Sequence, residues 1–358
     1  MKNINQQDCF RLVEKLEKSR KLSKTEWICL IDGQNEELSK YIFDRAVALR
    51  KNLYDNDVYI RGLIEFTNYC KNDCYYCGIR CSNNSCQRYR LSFDEILSCC
   101  KSGYELGYRT FVLQGGEDPF FSDTMIADIV SSIKNTFPEC AITLSLGEHS
   151  IESYLLWKRA GAERYLLRHE TANEEHYKRL HPKKMSFSNR IRCLYDLKEL
   201  GYQVGCGFMV GSPYQTSNTL ADDMLFLEKF QPDMVGIGPF IPHKNTPFNT
   251  MHQGTLEQTL YMLGLIRLLL PEVLLPATTA LGTIHPFGRE LGIQAGANVC
   301  MPNLSPVNVR KKYELYDNKI CTGDEAAECR GCLEGRIKKI GYKIVVSRGD
   351  RIGRSLSL

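Results

Sequence analysis

The chain predicts an α/β fold, a TIM-type (β/α)8 barrel with helices in front of it and a cysteine-bearing extension behind. Three observations predict it. Apolar strand-like runs alternate with amphipathic helix-like segments until eight strands are counted, which implies a parallel sheet closed on itself. Several helical segments stop at a glycine just before the next strand: Gly107, Gly161, Gly201 and Gly296. Glycine there accepts the left-handed conformation a helix end needs. A polar or backbone-permissive residue follows every strand, where a barrel gathers its chemistry.

The elements follow in order. Residues 1–57 read as a helical region, 58–306 as the barrel and 307–358 as the extension. The strand runs are Val58 to Phe66, Thr110 to Leu113, Ala141 to Leu146, Arg164 to Arg168, Gln203 to Val210, Met234 to Ile237, Val273 to Ala277 and Ala297 to Met301. The intervening helices are Phe93 to Leu106, Asp123 to Phe137, Ile151 to Ala160, Phe187 to Leu200, Leu220 to Phe230, Leu256 to Leu270 and Pro286 to Ala295. Leu-Gly-Tyr occurs twice, at Leu106-Gly107-Tyr108 and Leu200-Gly201-Tyr202, as a shared helix-to-strand turn.

Composition narrows the function. A hydrophobic content of 43% with 25% charged residues describes a water-soluble globular chain. The net charge of +4 is small for 358 residues and offers nucleic acid no electrostatic footprint. The longest apolar stretch, Met262 to Leu270, is broken by Arg267 and too short to span a bilayer. The polar start, Met1 to Asp8, has no apolar core of a signal peptide. With 16 cysteines, the expectation is a reduced, cytoplasmic protein whose thiols serve metals, in an anaerobic setting.

Cys70, Cys74 and Cys77 lie in Asn68-Tyr69-Cys70-Lys71-Asn72-Asp73-Cys74-Tyr75-Tyr76-Cys77-Gly78. Three clustered thiolates can hold three irons of a [4Fe–4S] cube and leave the fourth open to a small molecule, whereas four thiolates saturate the cube. Zinc prefers four ligands. The spacing resembles the signature of the radical S-adenosylmethionine (SAM) superfamily, in which the amino and carboxylate groups of SAM take the open iron. Gln114-Gly115-Gly116-Glu117 ends the second strand and lets a ligand lie against the main chain. It resembles the superfamily's GGE motif; alone it would be a tight turn.

Arg168-His169-Glu170-Thr171 puts opposite charges two residues apart, on one side of an extended chain. They can meet a zwitterion or pair with each other. Arg190 opens the following helix, as a carboxylate anchor or a surface cation. His243, in the proline-pinned loop Pro239 to Pro247, reads as an orienting group. Thr278 and Thr279 can offer hydroxyls to an anion. Met301, Tyr313 and Tyr316 line a cavity or fill the core. Near the C-terminus, Cys321, Cys329 and Cys332 suggest an accessory iron–sulfur site, [2Fe–2S] or [4Fe–4S], with Gly323 and Gly331 allowing tight wrapping. Cys81, Cys86, Cys99 and Cys100 read as packing or idle thiols.

From Tyr59 to Cys332 the chain resembles the HydE family, radical SAM maturases of [FeFe]-hydrogenase. The likeness is carried by Leu166 to Thr171, Met209 to Thr216, Pro239 to Pro247, Thr279 to Glu290, Gly296 to Asn303 and Cys321-x7-Cys329-x2-Cys332. The last group separates the family from the methylornithine synthases, similar through the barrel. The resemblance implies that Cys70, Cys74 and Cys77 hold the catalytic cube. Glu117, Glu170 and Arg190 contact SAM, with Arg168, Gly115 and Gly116 beside it. Thr278 and Thr279 form an anion site, and Met301, Tyr313 and Tyr316 wall the substrate cavity. It implies reductive SAM cleavage to a 5′-deoxyadenosyl radical acting on a cysteine-bound iron synthon carrying CO and cyanide. Other hydrogenase maturases and a low-potential electron donor are the implied partners. The alternatives are a lysine mutase, a sulfur insertion like that of biotin synthase, or a noncatalytic iron–sulfur carrier.

Overall fold

The computed structural model describes residues 5–320 and 330–353. Eleven strands are described: β1 (Asp57–Ile60), β2 (Gly62–Thr67), β3 (Thr110–Gly115), β4 (Ala141–Ser145), β5 (Arg164–Leu166), β6 (Gln203–Cys206), β7 (Met209–Val210), β8 (Met234–Val235), β9 (Gly238–Pro239), β10 (Val299–Cys300) and β11 (Lys343–Val345). β2, β3, β4, β5, β6 and β8 form one sheet in that order, all parallel. The ring continues through single bridges, Met234 to Leu274 and Pro276 to Val299. It closes at the first strand, where Leu63 N–H donates to the Pro302 carbonyl and Leu304 N–H to the Leu63 carbonyl. Residues 273–277 therefore take the seventh strand's place through scattered main-chain bonds rather than as a regular ladder.

Two expected strands are divided. The run Val58 to Phe66 breaks at Arg61; β1 pairs with β10 and β11, while β2 pairs with β3. The run Gln203 to Val210 breaks at Gly207, and β7 pairs with β9 above the break. Such breaks let a strand change direction at a barrel rim. The glycines that end helices, Gly107, Gly161, Gly201 and Gly296, all take positive φ. The helix expected from Pro286 to Ala295 is present as Gly288–Gln294; a further short helix, Thr279–Ile284, precedes it and stops before Pro286, which cannot continue it.

Three N-terminal helices, Gln6–Ser19, Lys24–Asp32 and Glu36–Tyr54, are capped by Asn5, Ser23 and Asn35. Lys24–Asp32 packs on the barrel helix Ser217–Phe230, and Glu36–Tyr54 on Leu256–Leu269. The latter is buried all round from Thr259 to Leu269, as a helix apolar on every face but for Arg267 requires. Arg267, fully buried within it, donates to the carbonyls of Gly296, Pro271 and Val273 and to Asn298 Oδ1. Beyond the barrel, helix Arg330–Lys339 leads into β11, which pairs with β1 and carries the chain under the barrel floor. Among the described residues no helix is long and apolar enough to cross a membrane.

Candidate active site

Strand register sets out the interior. Glu65, Gln114 and Ser145 lie at one level on β2, β3 and β4. All three face a cavity of about 350 Å3 that opens at the C-terminal ends of the strands. Cys70, Cys74 and Cys77 line it from the loop after β2, and Gly115, Gly116 and Glu117 from the end of β3. Arg168, Glu170 and Arg190 enter from beyond β5, Thr278 and Thr279 from the seventh strand position, and Met301 follows β10. Tyr313 and Tyr316 close one side. The fold thus gathers residues spread from 70 to 316 onto one surface.

Local chemistry holds each group. Gly116 lies so close to the cysteine loop that a Cβ would run into the Tyr69 carbonyl and the Cys70 side chain. Lys71 N–H donates to the Glu117 carbonyl at 2.9 Å, joining that loop to the end of β3. The Glu117 carboxylate accepts the Glu148 N–H at 3.0 Å and pairs with Lys71 Nζ at 3.3 Å. Gly147, at φ +82°, leaves room for it. Arg190 is buried and pairs with Glu148 at 2.8 Å, and Asn189 donates to the other Glu148 oxygen. It is not a surface cation.

Arg168 and Glu170 pair at 3.1 Å while both face the cavity. Glu170 takes φ +65°, a left-handed conformation that costs a non-glycine residue about 1–3 kcal/mol. Its N–H donates to the Gly207 carbonyl at 3.0 Å. The Gly207 N–H donates to His169 Nδ1 at 3.2 Å, which leaves the proton on Nε2, facing Asp223 Oδ1 at 3.3 Å. His169 and Asp223 are both fully buried. Asp223 also accepts the Ala172 N–H, so the residues flanking Glu170 are pinned on both sides. His243 does not line the cavity; it lies near Glu314 and Asp317 and orients the loop Pro239 to Pro247. Thr278 caps helix Thr279–Ile284 without using its side chain, and its buried Oγ1 has no hydrogen-bond partner.

The thiols suit an iron–sulfur cube. All three are free, and burial pushes Cys77 up to about 12 and raises Cys70 and Cys74 as well. Positive metal charge offsets that penalty and displaces the protons. Among the described residues no three His, Cys, Asp or Glu side chains converge on a single ion; a cube spreads its ligands over a wider face. Cys321 and Cys329 lie outside the described residues, and Cys332 is exposed on helix Arg330–Lys339. Cys99 and Cys100 pack in the core, and Cys81 is exposed.

Residues 64–227 match the family model of the radical SAM superfamily. The chain is 46% identical over 335 residues to the [FeFe] hydrogenase maturase subunit HydE of Thermotoga maritima, covering 93% of this chain and 94% of that one. The chain belongs to the HydE family. It is accordingly a radical SAM enzyme, of a superfamily that works with a [4Fe–4S] cluster and SAM. The 3-methylornithine synthase of Methanosarcina acetivorans is 29% identical over 322 residues, covering 89% of this chain and 90% of that one. The crystal structure of methylornithine synthase PylB matches with a TM-score of 0.81 at 26% identity, covering 93% of this chain and 97% of that one.

Sequence reasoning passed over several of the groups now seen together. Glu148 follows the third strand with nothing in the local sequence to single it out, yet it pairs with Arg190 and its N–H supports Glu117. Asp223 stands 53 residues from Glu170, and nothing local marks it. Glu65 left a signal: a lone carboxylate inside Leu63-Ile64-Glu65-Phe66 is out of place in a buried strand.

Proposed function

We propose that this HydE-family enzyme acts in assembly of the [FeFe]-hydrogenase cofactor, on a cysteine-bound iron synthon carrying CO and cyanide. The observation that carries the reading is the single cavity lined by all fourteen residues assigned to cluster, SAM and substrate. Cys70, Cys74 and Cys77 hold the [4Fe–4S] cluster, and Gly115, Gly116, Glu117, Arg168, Glu170 and Arg190 hold SAM. Bound together, they supply a one-electron cleavage yielding methionine and a 5′-deoxyadenosyl radical.

The chain's own residues bind, orient and exclude water. Glu117, steadied by the Glu148 N–H, faces an ammonium; Lys71 covers the same carboxylate until a ligand displaces it. Arg168 and Glu170 offer a carboxylate and a cation or hydroxyl their partners. The Gly116 backbone allows close approach. The closed barrel keeps a reactive species from solvent. Thr278, Thr279, Met301, Tyr313 and Tyr316 wall the substrate end.

Residues 58–306 form the catalytic barrel in this reading, 1–57 its helical cover and 307–358 an extension. Cys321, Cys329 and Cys332 hold an accessory cluster there. The setting is cytoplasmic and reducing; among the described residues no disulfide joins two cysteines. The partners are other maturases and a low-potential electron donor. Anaerobic reconstitution of wild type and Cys74→Ala tests the whole. Wild type should cleave SAM and activate hydrogenase, and the variant should do neither. Cleavage without activation removes the maturation role. Similarity to methylornithine synthase favours a lysine mutase as the second reading, which product analysis with lysine decides.

A further inference from the structure

The cavity contains one buried ion pair that none of the assigned roles uses. Lys319 Nζ lies 2.6 Å from Glu65 Oε1, with both side chains almost wholly buried. The second Glu65 oxygen accepts from Asn303 Nδ2 at 2.8 Å, so the carboxylate is held from two sides. Lys319 also donates to the Tyr313 carbonyl at 2.8 Å, and its ammonium lies 4.9 Å from the centre of the Tyr313 ring. Both of its hydrogen bonds thus go to Glu65 and Tyr313, and the Tyr313 ring lies beside the ammonium. Gln114 donates to the Tyr313 hydroxyl at 3.4 Å, leaving the phenolic proton free to face the cavity.

Burying two charges is costly, and an apolar pair of similar size often serves stability as well. The pair is therefore poorly explained by stability alone. Residues 312–320 run as a strap across the barrel mouth. It is fastened by Asn68 to the Lys312 carbonyl, by Gly78 N–H to the Leu315 carbonyl and by Asp317 N–H to the Pro242 carbonyl. Those ties hold the strap to the loops. Lys319 alone among these contacts reaches into the barrel interior, to a strand 254 residues away in sequence.

We propose that Glu65 and Lys319 are positioning residues: by clamping Tyr313 they set the substrate wall of the cavity, independently of the cluster and SAM groups. This rests on the reading of the cavity given above. Glu65 sits on rigid β2, whose neighbours on either side are paired, so the reference point does not move with the strap. Loss of the pair shifts Tyr313 relative to the target atom while leaving the cysteine loop and Glu117 in place.

The test uses reconstituted holoprotein and four variants: Lys319→Met, Lys319→Arg, Tyr313→Phe and the charge-neutral double variant Glu65→Gln/Lys319→Met. The double variant leaves no unpaired buried charge and guards against simple misfolding. Hydrogen exchange should quicken across 312–320 in Lys319→Met and the double variant, with β2 to β6 unchanged. In those two variants SAM cleavage without substrate should stay within about twofold of wild type, while hydrogenase activation falls about 100-fold, as expected for a misplacement near 1 Å. Tyr313→Phe should lower activation without altering exchange, and Lys319→Arg should recover part of it. Unchanged exchange in 312–320 overturns the proposal whatever the reaction proves to be. Full activation by the double variant, or equal loss of cleavage and activation, also overturns it. Failure of wild type to activate hydrogenase strikes the functional reading instead, and the exchange result still decides the clamp.

Discussion

The two ends of the barrel use the same kinds of side chain to opposite effect. At the floor, Arg164 pairs with Asp350 at 2.6 Å, Arg348 with Glu163 at 2.9 Å, and Arg351 with Glu272 at 3.0 Å. The chain beyond β11 supplies Arg348, Asp350 and Arg351 and leaves a void of only about 10 Å3, room for about one water. At the mouth, Arg168, Glu170, Arg190 and Glu117 also pair, but they border about 350 Å3 of open space. Charge alone does not make a site. The floor charges meet partners brought by a returning segment, whereas the mouth charges have room left for a ligand to compete.

That contrast can be broken or sharpened by experiment. The largest effect should come from Cys74→Ala, which should abolish SAM cleavage and the iron–sulfur absorption while the apoprotein's far-ultraviolet dichroism stays as in wild type. A variant that retains cleavage would detach the cysteine loop from the chemistry of the mouth. Glu117→Gln should come next, raising the KM for SAM about tenfold or more, the range for weakening a charge-assisted contact. Steady-state kinetics across SAM concentrations would show it, and an unchanged KM would place the ammonium elsewhere.

At the floor the expected loss is of stability, not activity. Burial alone would raise the Asp350 carboxyl, but Arg164, Arg348 and Gln203 outweigh it and hold it well below the usual carboxylate range. The pair therefore stabilises the fold above the unfolded value of about 3.9 and ceases to do so as pH falls through the lower folded value. Asp350→Asn should cost about 2 kcal/mol at pH 7, and the gap from wild type should shrink in urea melts near pH 3. A gap that is the same at both pH values would show that the floor is held by something other than this charge. The smallest effect belongs to Cys81→Ser, an exposed thiol beside the cysteine loop. It should leave cluster content and SAM cleavage unchanged; a loss would extend the cluster's ligand environment to a fourth cysteine.

Much of the mouth was legible in the chain because its parts are local. The three cysteines, Gly115-Gly116-Glu117 and Arg168-x-Glu170 each lie within a few residues of a strand end, and parallel strands deliver such ends to one rim. The helix-ending glycines were readable for the same reason, since a left-handed turn is a property of one residue and its neighbours. Arg190 was ambiguous, because a cation in the first turn of a helix faces solvent or core according to what packs there. The groups that approach it, Glu148 first among them, decide it.

Sequence by itself determined the alternation of strand and helix, the cysteine loop and the glycine-marked edge, because these depend on short-range geometry and period. Tertiary structure alone decided that Glu65 meets Lys319, that Asp223 supports the backbone of Glu170 through His169, and that the tail seals one end of the barrel. Those contacts join residues far apart in the chain, and their strength comes from burial, which exists only once the ring has closed.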